Sequence, residues 1–264
     1  MDAPATPTPY LRLQGIGKTF GNGVQQTEAL RCIDLDVREG EFLALVGPSG
    51  CGKSTLLQIA AGLTRPTRGE VRFGDACVDR PPPGIVYLFQ QYAKSLFPWR
   101  TVIDNVAFAV EHRPGMGRAA ARRHSRRYLE MVGLFEFAQR YPAQLSGGMQ
   151  QRVTIARALA AEPRVLLMDE PFSSVDALTR MELHAIVQDL WSRHGFTAVL
   201  VTHDVDEAVF LADRIAVLSP RPSTVVQMFE TRLPRPRDKI TTPELPRYLT
   251  LRHELLSQVL GARP

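Results

Sequence analysis

The sequence predicts an α/β protein: a parallel-stranded core, an antiparallel β subdomain on its N-terminal side, and an α-helical subdomain inserted into the core. The apolar run Phe42-Leu43-Ala44-Leu45-Val46 enters the glycine-rich stretch GPSGCGKST and continues into Leu56-Leu57-Gln58-Ile59-Ala60-Ala61, a succession of strand, loop and helix. Before it, residues 11–20 and 29–37 alternate apolar and polar side chains, as half-buried antiparallel strands do. After it, residues 101–144 read as wholly helical.

The 264 residues suffice for one large domain or two small ones with a buried core. Residues 1–9 (MDAPATPTP) lack a basic start followed by an apolar block, so they read as a disordered lead-in and not as a secretion signal. No apolar run approaches the roughly 20 residues that cross a bilayer. With a mean hydropathy of -0.11, the expectation is a cytoplasmic chain that meets a membrane only through partners. Cys32, Cys51 and Cys77 lack the spacing of a zinc site or a disulfide framework. The net charge of +5 is small for a dedicated nucleic-acid binder.

The loop from Gly47 to Thr55 matches G-x-x-x-x-G-K-[ST], the phosphate loop of P-loop NTPases. Gly47, Gly50 and Gly52 permit close backbone approach, so that successive N–H groups of Gly47, Pro48, Ser49, Gly50, Cys51 and Gly52 and of the helix start can surround a polyphosphate, proline excepted as a donor. Lys53 adds a point charge, Ser54 a hydroxyl for Mg²⁺, and Thr55 closes the string. Cys51, at a helix N-terminus beside Lys53, is expected to be the most reactive of the thiols unless it turns into the core beneath the loop. Phe20, closing the first strand before the Gly21-Asn22-Gly23 loop, either stacks on an adenine ring or packs as core.

Beyond the loop helix, residues 70–73 and 85–89 give strands around Pro81-Pro82-Pro83, the second ending in Gln90-Gln91. Gln90 stands where parallel sheets bind ligands, at a strand's C-terminal end, and could reach Mg²⁺ or an attacking water; otherwise it is a solvated cap. Thr101 with Asp104 caps a helix, and Pro114 to Gly117 interrupt it. Arg118, Arg122, Arg123, Arg126 and Arg127 then form a basic face, read as solvated rather than as a nucleic-acid surface.

At Leu145 to Arg152 (LSGGMQQR) the anion-seeking logic recurs: Ser146 as N-cap, Gly147 and Gly148 exposing N–H groups, then a helix over residues 150–161. Val165-Leu166-Leu167-Met168 forms a buried strand that delivers Asp169, suited to a Mg²⁺-linked water, and Glu170, suited to polarising a water that attacks phosphorus. Ser174-Val175-Asp176 makes a turn before a helix over residues 177–193, and the strand 198–202 ends at His203. That imidazole either contacts a γ-phosphate oxygen or is structural. Asp204 with Glu207 forms a capping box, 215–218 is a strand, 220–236 a proline-broken basic segment, and 245–260 a final amphipathic helix.

By these residues, from about Leu11 to about Arg237, the chain resembles the nucleotide-binding subunit of ATP-binding cassette (ABC) transporters. GPSGCGKST is similar to Walker A, LSGGMQQR to the signature motif and VLLMDE to Walker B. Gln90 falls at the Q-loop, Phe20 at the A-loop, Ser174 to Asp176 at the D-loop and His203 at the switch histidine. The strings FPW, DEPFSSVDALTR, EAVFLADRIAVLSPRP and LPRPR resemble the nitrate, sulfonate and taurine importer branch.

The resemblance implies the ABC ATPase fold, with a nucleotide-binding domain over residues 10–237, a helical insert over about 91–150 and a helical tail over 238–264. It implies ATP and Mg²⁺ as ligands, with Ser54, Gln90 and Asp169 at the metal and Glu170, Gln90 and His203 at the reacting phosphate. Two copies would dimerise head to tail on ATP, each ATP lying between Walker A of one and Ser146, Gly147 and Gly148 of the other, with Phe20 and Asp176 among the nucleotide-binding residues. Two transmembrane permease subunits and, indirectly, an extracytoplasmic binding protein complete the expected assembly at the cytoplasmic face of the inner membrane, without nucleic acid. A non-transport ABC ATPase and a regulatory nucleotide-binding module are the competing classes; single-cassette length disfavours the first, and the presence of Glu170 with His203 the second.

Overall fold

Near-continuous apolar strands and amphipathic helices alternate along the chain in the computed structural model, which describes residues 10–21, 26–90 and 92–261. The expected lead-in 1–9, together with Asn22, Gly23 and Gln91, lies outside the described residues. The chain divides into two compact units, Met1–Pro83 with Phe196–Pro264, and Gly84–Gly195.

In the first unit, β1 (Leu11–Phe20) pairs antiparallel with β2 (Thr27–Val37) and β4 (Arg68–Phe73), and β4 with the short β5 (Ala76–Cys77). Alternation sets the register: Leu11 faces Val37, Leu13 faces Leu35 and, past a bulge, Ile16 faces Ile33, all six buried. Gly15 makes the bulge at φ 58°, its N–H donating to Asp34 Oδ1.

The same unit holds β3 (Phe42–Val46), with β8 (Thr197–Val201) and β9 (Arg214–Leu218) as parallel neighbours. Every residue of β3 and β8 is buried, which is why their sequences are apolar runs without alternation. Helix α1 (Lys53–Ala60) follows β3, and α7 (Val205–Leu211) follows β8. The segment expected to be proline-broken contains β10 (Val225–Glu230), antiparallel on β9. Only Phe229 of β10 is fully buried, so this strand offers no alternation to read between its flanking prolines. Helix α8 (Pro246–Gly261) closes the unit.

In the second unit β6 (Ile85–Leu88) runs parallel to β7 (Val165–Asp169), Leu88 opposite Met168. Its helices are α2 (Tyr92–Ser95), α3 (Val102–Ala107), α4 (Arg118–Met131), α5 (Gly147–Ala160) and α6 (Ala177–His194). Residues 101–144 are therefore not wholly helical. Gly133, at φ 69°, lies just beyond the end of α4, and tight 3-10 turns follow at Phe135–Phe137 and Pro142–Gln144. Thr101 does cap α3, accepting the Asp104 N–H.

The basic face of α4 is more than a solvated surface. Arg122 makes a two-pronged contact with Asp104 at 2.6 and 2.5 Å, Arg118 joins at 3.2 Å, Arg126 pairs with Glu130 and Arg127 with Glu162. The Arg122 hydrogen bonds, outweighing burial and helped by Thr101 and Arg118, hold the Asp104 carboxyl down at about 2. A carboxyl lowered by folding stabilises the fold above its ordinary value of 3.8, and that contribution is lost as pH falls through about 2. Because both arginines are substantially solvated, Asp104→Asn is expected to cost about 1–3 kcal/mol at neutral pH, less than a fully buried pair would. Urea denaturation should show the difference from wild type closing between pH 3.8 and about 2; a difference independent of pH would deny the ion pair this role.

Candidate functional site

The loop after β3 takes its path from its glycines. Gly50 and Gly52 have φ of 75° and 115°, and a Cβ on Gly52 would stand 2.8 Å from Leu30 Cδ2. A Cβ on Gly47 would stand 2.8 Å from the Leu218 carbonyl oxygen of β9, which cannot yield. Ser49 and Gly50 form an exposed crest, while Ser54 and Thr55 are half-buried in the first turn of α1.

Lys53 is only 4% exposed, and its Nζ donates to the carbonyls of Gly47 at 2.8 Å and Pro48 at 2.9 Å. A buried ammonium ringed by loop carbonyls is a fixed positive centre beneath a glycine cradle, a combination that fits a polyphosphate. Cys51 Sγ lies 4.0 Å from the same Nζ and the residue is buried. The thiol therefore turns beneath the loop, which overturns the expectation that it is the most reactive; Cys32 and Cys77 are the exposed ones.

His203 emerges at the same sheet edge. Leu45 of β3 pairs with Val201 of β8, and the Thr202 N–H donates to the Leu45 carbonyl at 3.2 Å, so the phosphate loop and His203 leave adjacent strand ends. His203 is exposed and Asp204 caps α7 by accepting the N–H groups of Asp206 and Glu207. Phe20 is 45% exposed under a Lys18 ammonium 5.1 Å from its ring centroid, so it presents a ring face and is not a core residue.

In the second unit, Asp169 ends β7 buried, its Oδ2 accepting from Tyr87 Oη at 2.8 Å. Glu170 follows at φ 45°, a left-handed conformation uncommon for a non-glycine residue and found where a backbone is held for function. Its carbonyl accepts from Ser173 Oγ at 3.0 Å, and its Oε2 accepts from Gln90 Nε2 at 3.0 Å. Gln90, from the end of β6, and Glu170, from the end of β7, are thus in direct contact.

Ser146 caps α5 by accepting the Met149 N–H, with Ser146 and Gly147 exposed. Asp176 caps α6 by accepting the Thr179 N–H at 3.0 Å, and that backbone bond lowers its carboxyl. A Cβ on Gly148 would stand 2.5 Å from Thr179 Cγ2. Gly148 and the Asp176 turn are therefore joined through Thr179, which sequence reasoning passed over, as it did Tyr87. For Tyr87 a signal existed: a half-buried phenol in an apolar strand calls for an acceptor.

Of the expected metal donors, Ser54 in the first unit carries a hydroxyl, and Gln90 and Asp169 in the second carry an amide and a carboxylate, each an oxygen donor of the kind Mg²⁺ takes. Among the described residues no three His, Cys, Asp or Glu side chains cluster to hold a metal by themselves. A cavity of about 370 Å³ elsewhere in the first unit is lined by Arg38, Glu41, Asp213, Arg214, Glu230 and Arg232. Pairing of Arg214 with Glu41 and of Arg232 with Glu230 leaves it without an anion-selective field.

A family model described as ABC transporter matches residues 30–173. The chain is 41% identical over 256 residues to the nitrate import ATP-binding protein NrtD of Synechococcus elongatus, covering 96% of this chain and 93% of that protein. It is 41% identical over 257 residues to the bicarbonate transport ATP-binding protein CmpD of the same organism, covering 96% and 92%. Among solved structures, the dimeric ATP-binding cassette MJ0796 in a post-hydrolysis state bound to ADP and Pi is similar, with a TM-score of 0.74, 34% identity and coverage of 84% of this chain and 99% of that one.

Proposed function

The chain belongs to the ABC transporter family, as an ATP-binding subunit with ATPase activity, and on that premise we propose that it drives uptake of a small oxyanion: nitrate, bicarbonate, taurine or an aliphatic sulfonate. The observation that carries the importer reading is near-full-length similarity to nitrate import and bicarbonate transport ATP-binding proteins. No helix among the described residues is long and apolar enough to cross a membrane. Two separate permease subunits, engaged at the cytoplasmic face, then carry the anion, and a binding protein outside supplies it.

In this reading the N–H groups from Gly47 to Thr55 and the Lys53 ammonium hold the β- and γ-phosphates of ATP, and Phe20 stacks on adenine. Ser54, Gln90 and Asp169 would hold Mg²⁺, which would neutralise charge developing on the transferred phosphate. Glu170, steadied by Gln90, orients and polarises the attacking water, and His203 donates to a γ-phosphate oxygen. Ser146, Gly147, Gly148 and Asp176 of a second copy close on the nucleotide head to tail. Hydrolysis removes the bridge between the copies, and the dimer opens.

Deleting the chain is expected to abolish ATP-dependent uptake of one of these anions in cells, with recovery on re-expression. Calorimetry of the isolated chain with nitrate, bicarbonate and taurine should show no binding, since in this reading the permeases and the binding protein, and not the nucleotide loops, meet the anion. Undiminished uptake of all of them after deletion, or micromolar binding by the chain alone, would overturn the importer reading.

A further inference from the structure

Helix α7, which begins two residues after His203, is gripped at both ends by the C-terminal segment of the chain. At its N-terminal end, Tyr248 Oη of α8 donates to the Asp206 carbonyl at 3.1 Å and to Asp206 Oδ1 at 3.2 Å, and Arg252 Nε donates to the same Oδ1 at 2.7 Å. The Asp206 N–H is itself part of the cap on Asp204 Oδ1, at 2.9 Å, and the Asp204 N–H donates to Thr202 Oγ1 at 3.0 Å. Thr202 and Asp204 flank His203, so this hydrogen-bonded path runs from α8 to the backbone on either side of the imidazole.

The other end of α7 is held as firmly. Arg237 directs Nη1 to the carbonyls of Phe210 at 2.8 Å, Ala212 at 2.9 Å and Val209 at 3.3 Å, and Arg235 Nη2 reaches the Leu211 carbonyl at 2.8 Å. These are carbonyls of the kind a helix C-terminus leaves without intrahelical partners, met here by cations at the negative end of its dipole. Burial draws the Arg237 guanidinium down to about 10, so it still carries its charge at neutral pH. A guanidinium 7% exposed is costly to bury, and this one is spent on the end of a short helix. Tyr248, Leu251 and Leu255 are the buried residues of α8, so the brace stands on an apolar footing.

We propose that the segment from Arg235 to Arg252 is a brace that fixes α7 and, through Asp206 and Asp204, the orientation of His203, making Tyr248 and Arg252 positioning residues for ATP hydrolysis. The inference rests on the function proposed above for His203. It gives the C-terminal helix a purpose that the nucleotide contacts do not require: engagement of α8 sets the rate at which bound ATP is hydrolysed.

Tyr248→Phe, which keeps the buried ring and removes only the hydroxyl, and Arg252→Gln should each lower kcat about threefold to tenfold. KM for ATP should stay within about twofold, because phosphate binding lies on the loop. Arg252→Lys should recover most of the loss, and the His203 imidazole NMR resonances should shift in Tyr248→Phe. Unchanged kcat and unchanged imidazole resonances, or a kcat loss that merely follows a lowered melting temperature, would overturn the brace. His203→Ala separates the two readings. If it loses turnover while Tyr248→Phe and Arg252→Gln do not, the brace alone fails. If it retains full turnover, the assignment of His203 fails and the brace with it.

Discussion

Glu170→Gln is expected to bind ATP with near-normal affinity and to hydrolyse it roughly 100- to 10,000-fold more slowly, the span typical of removing a positioned group that handles the proton of a nucleophile. The geometry makes this substitution unusually clean. The glutamine is isosteric, it tolerates the φ of 45° as the glutamate does, and its amide oxygen can still accept from Gln90 Nε2, now 3.0 Å from Glu170 Oε2. What disappears is the negative charge that polarises the water, and not the scaffold that holds it. With hydrolysis blocked, ATP should hold two copies together, so light scattering coupled to size-exclusion chromatography should report a dimer with ATP and not with ADP. A variant that keeps wild-type turnover would remove Glu170 from the proposed site, and one that stays monomeric at saturating ATP would overturn the head-to-tail dimer.

Lys53→Ala is expected to fail one step earlier, at binding. Its ammonium is buried and already held by the Gly47 and Pro48 carbonyls, so little reorganisation is needed to meet a phosphate. Hydrogen bonds to charged groups contribute about 1.5–3 kcal/mol, which corresponds to a rise in the ATP dissociation constant of roughly 10- to 150-fold. Titration with a fluorescent ATP analogue measures it directly. A melting experiment checks it independently, since ATP should raise the wild-type melting temperature and leave that of Lys53→Ala almost where it was. Equal affinity in the two proteins would remove Lys53 from phosphate binding. The pair of variants divides the site by function: one binds and does not turn over, the other does not bind.

Much of the site could be read from sequence because its signals are local. A cap needs only its own side chain and the N–H groups that follow, so Thr101, Ser146 and Asp204 were legible, and the structure finds each accepting from its helix. The phosphate loop was legible because only glycine accepts the angles at Gly50 and Gly52 and the approach at Gly47. Strand β10 was not, because an edge strand with a single buried side chain carries no period, and the prolines around it argued for a broken segment. Arg118 and Arg122 of α4 looked solvated because their partner Asp104 lies in another helix. Nothing in the order of residues says that Cys51 turns beneath the loop, where the structure buries it.

By itself the sequence determined the strand, loop and helix around Gly47 to Thr55, the helix caps and the family, because hydrophobic period, capping and glycine demand are properties of neighbouring residues. Only the tertiary structure decided which of those strand ends meet. The contact of Gln90 with Glu170, the pairing of Tyr87 with Asp169, the Thr179 link between Gly148 and the Asp176 turn, and the grip of Tyr248 and Arg252 on α7 each join residues far apart in the chain or on different elements. Their distances follow from how the strands register and how the helices pack, and side-chain direction at a contact is set by that packing and not by the residues on either side.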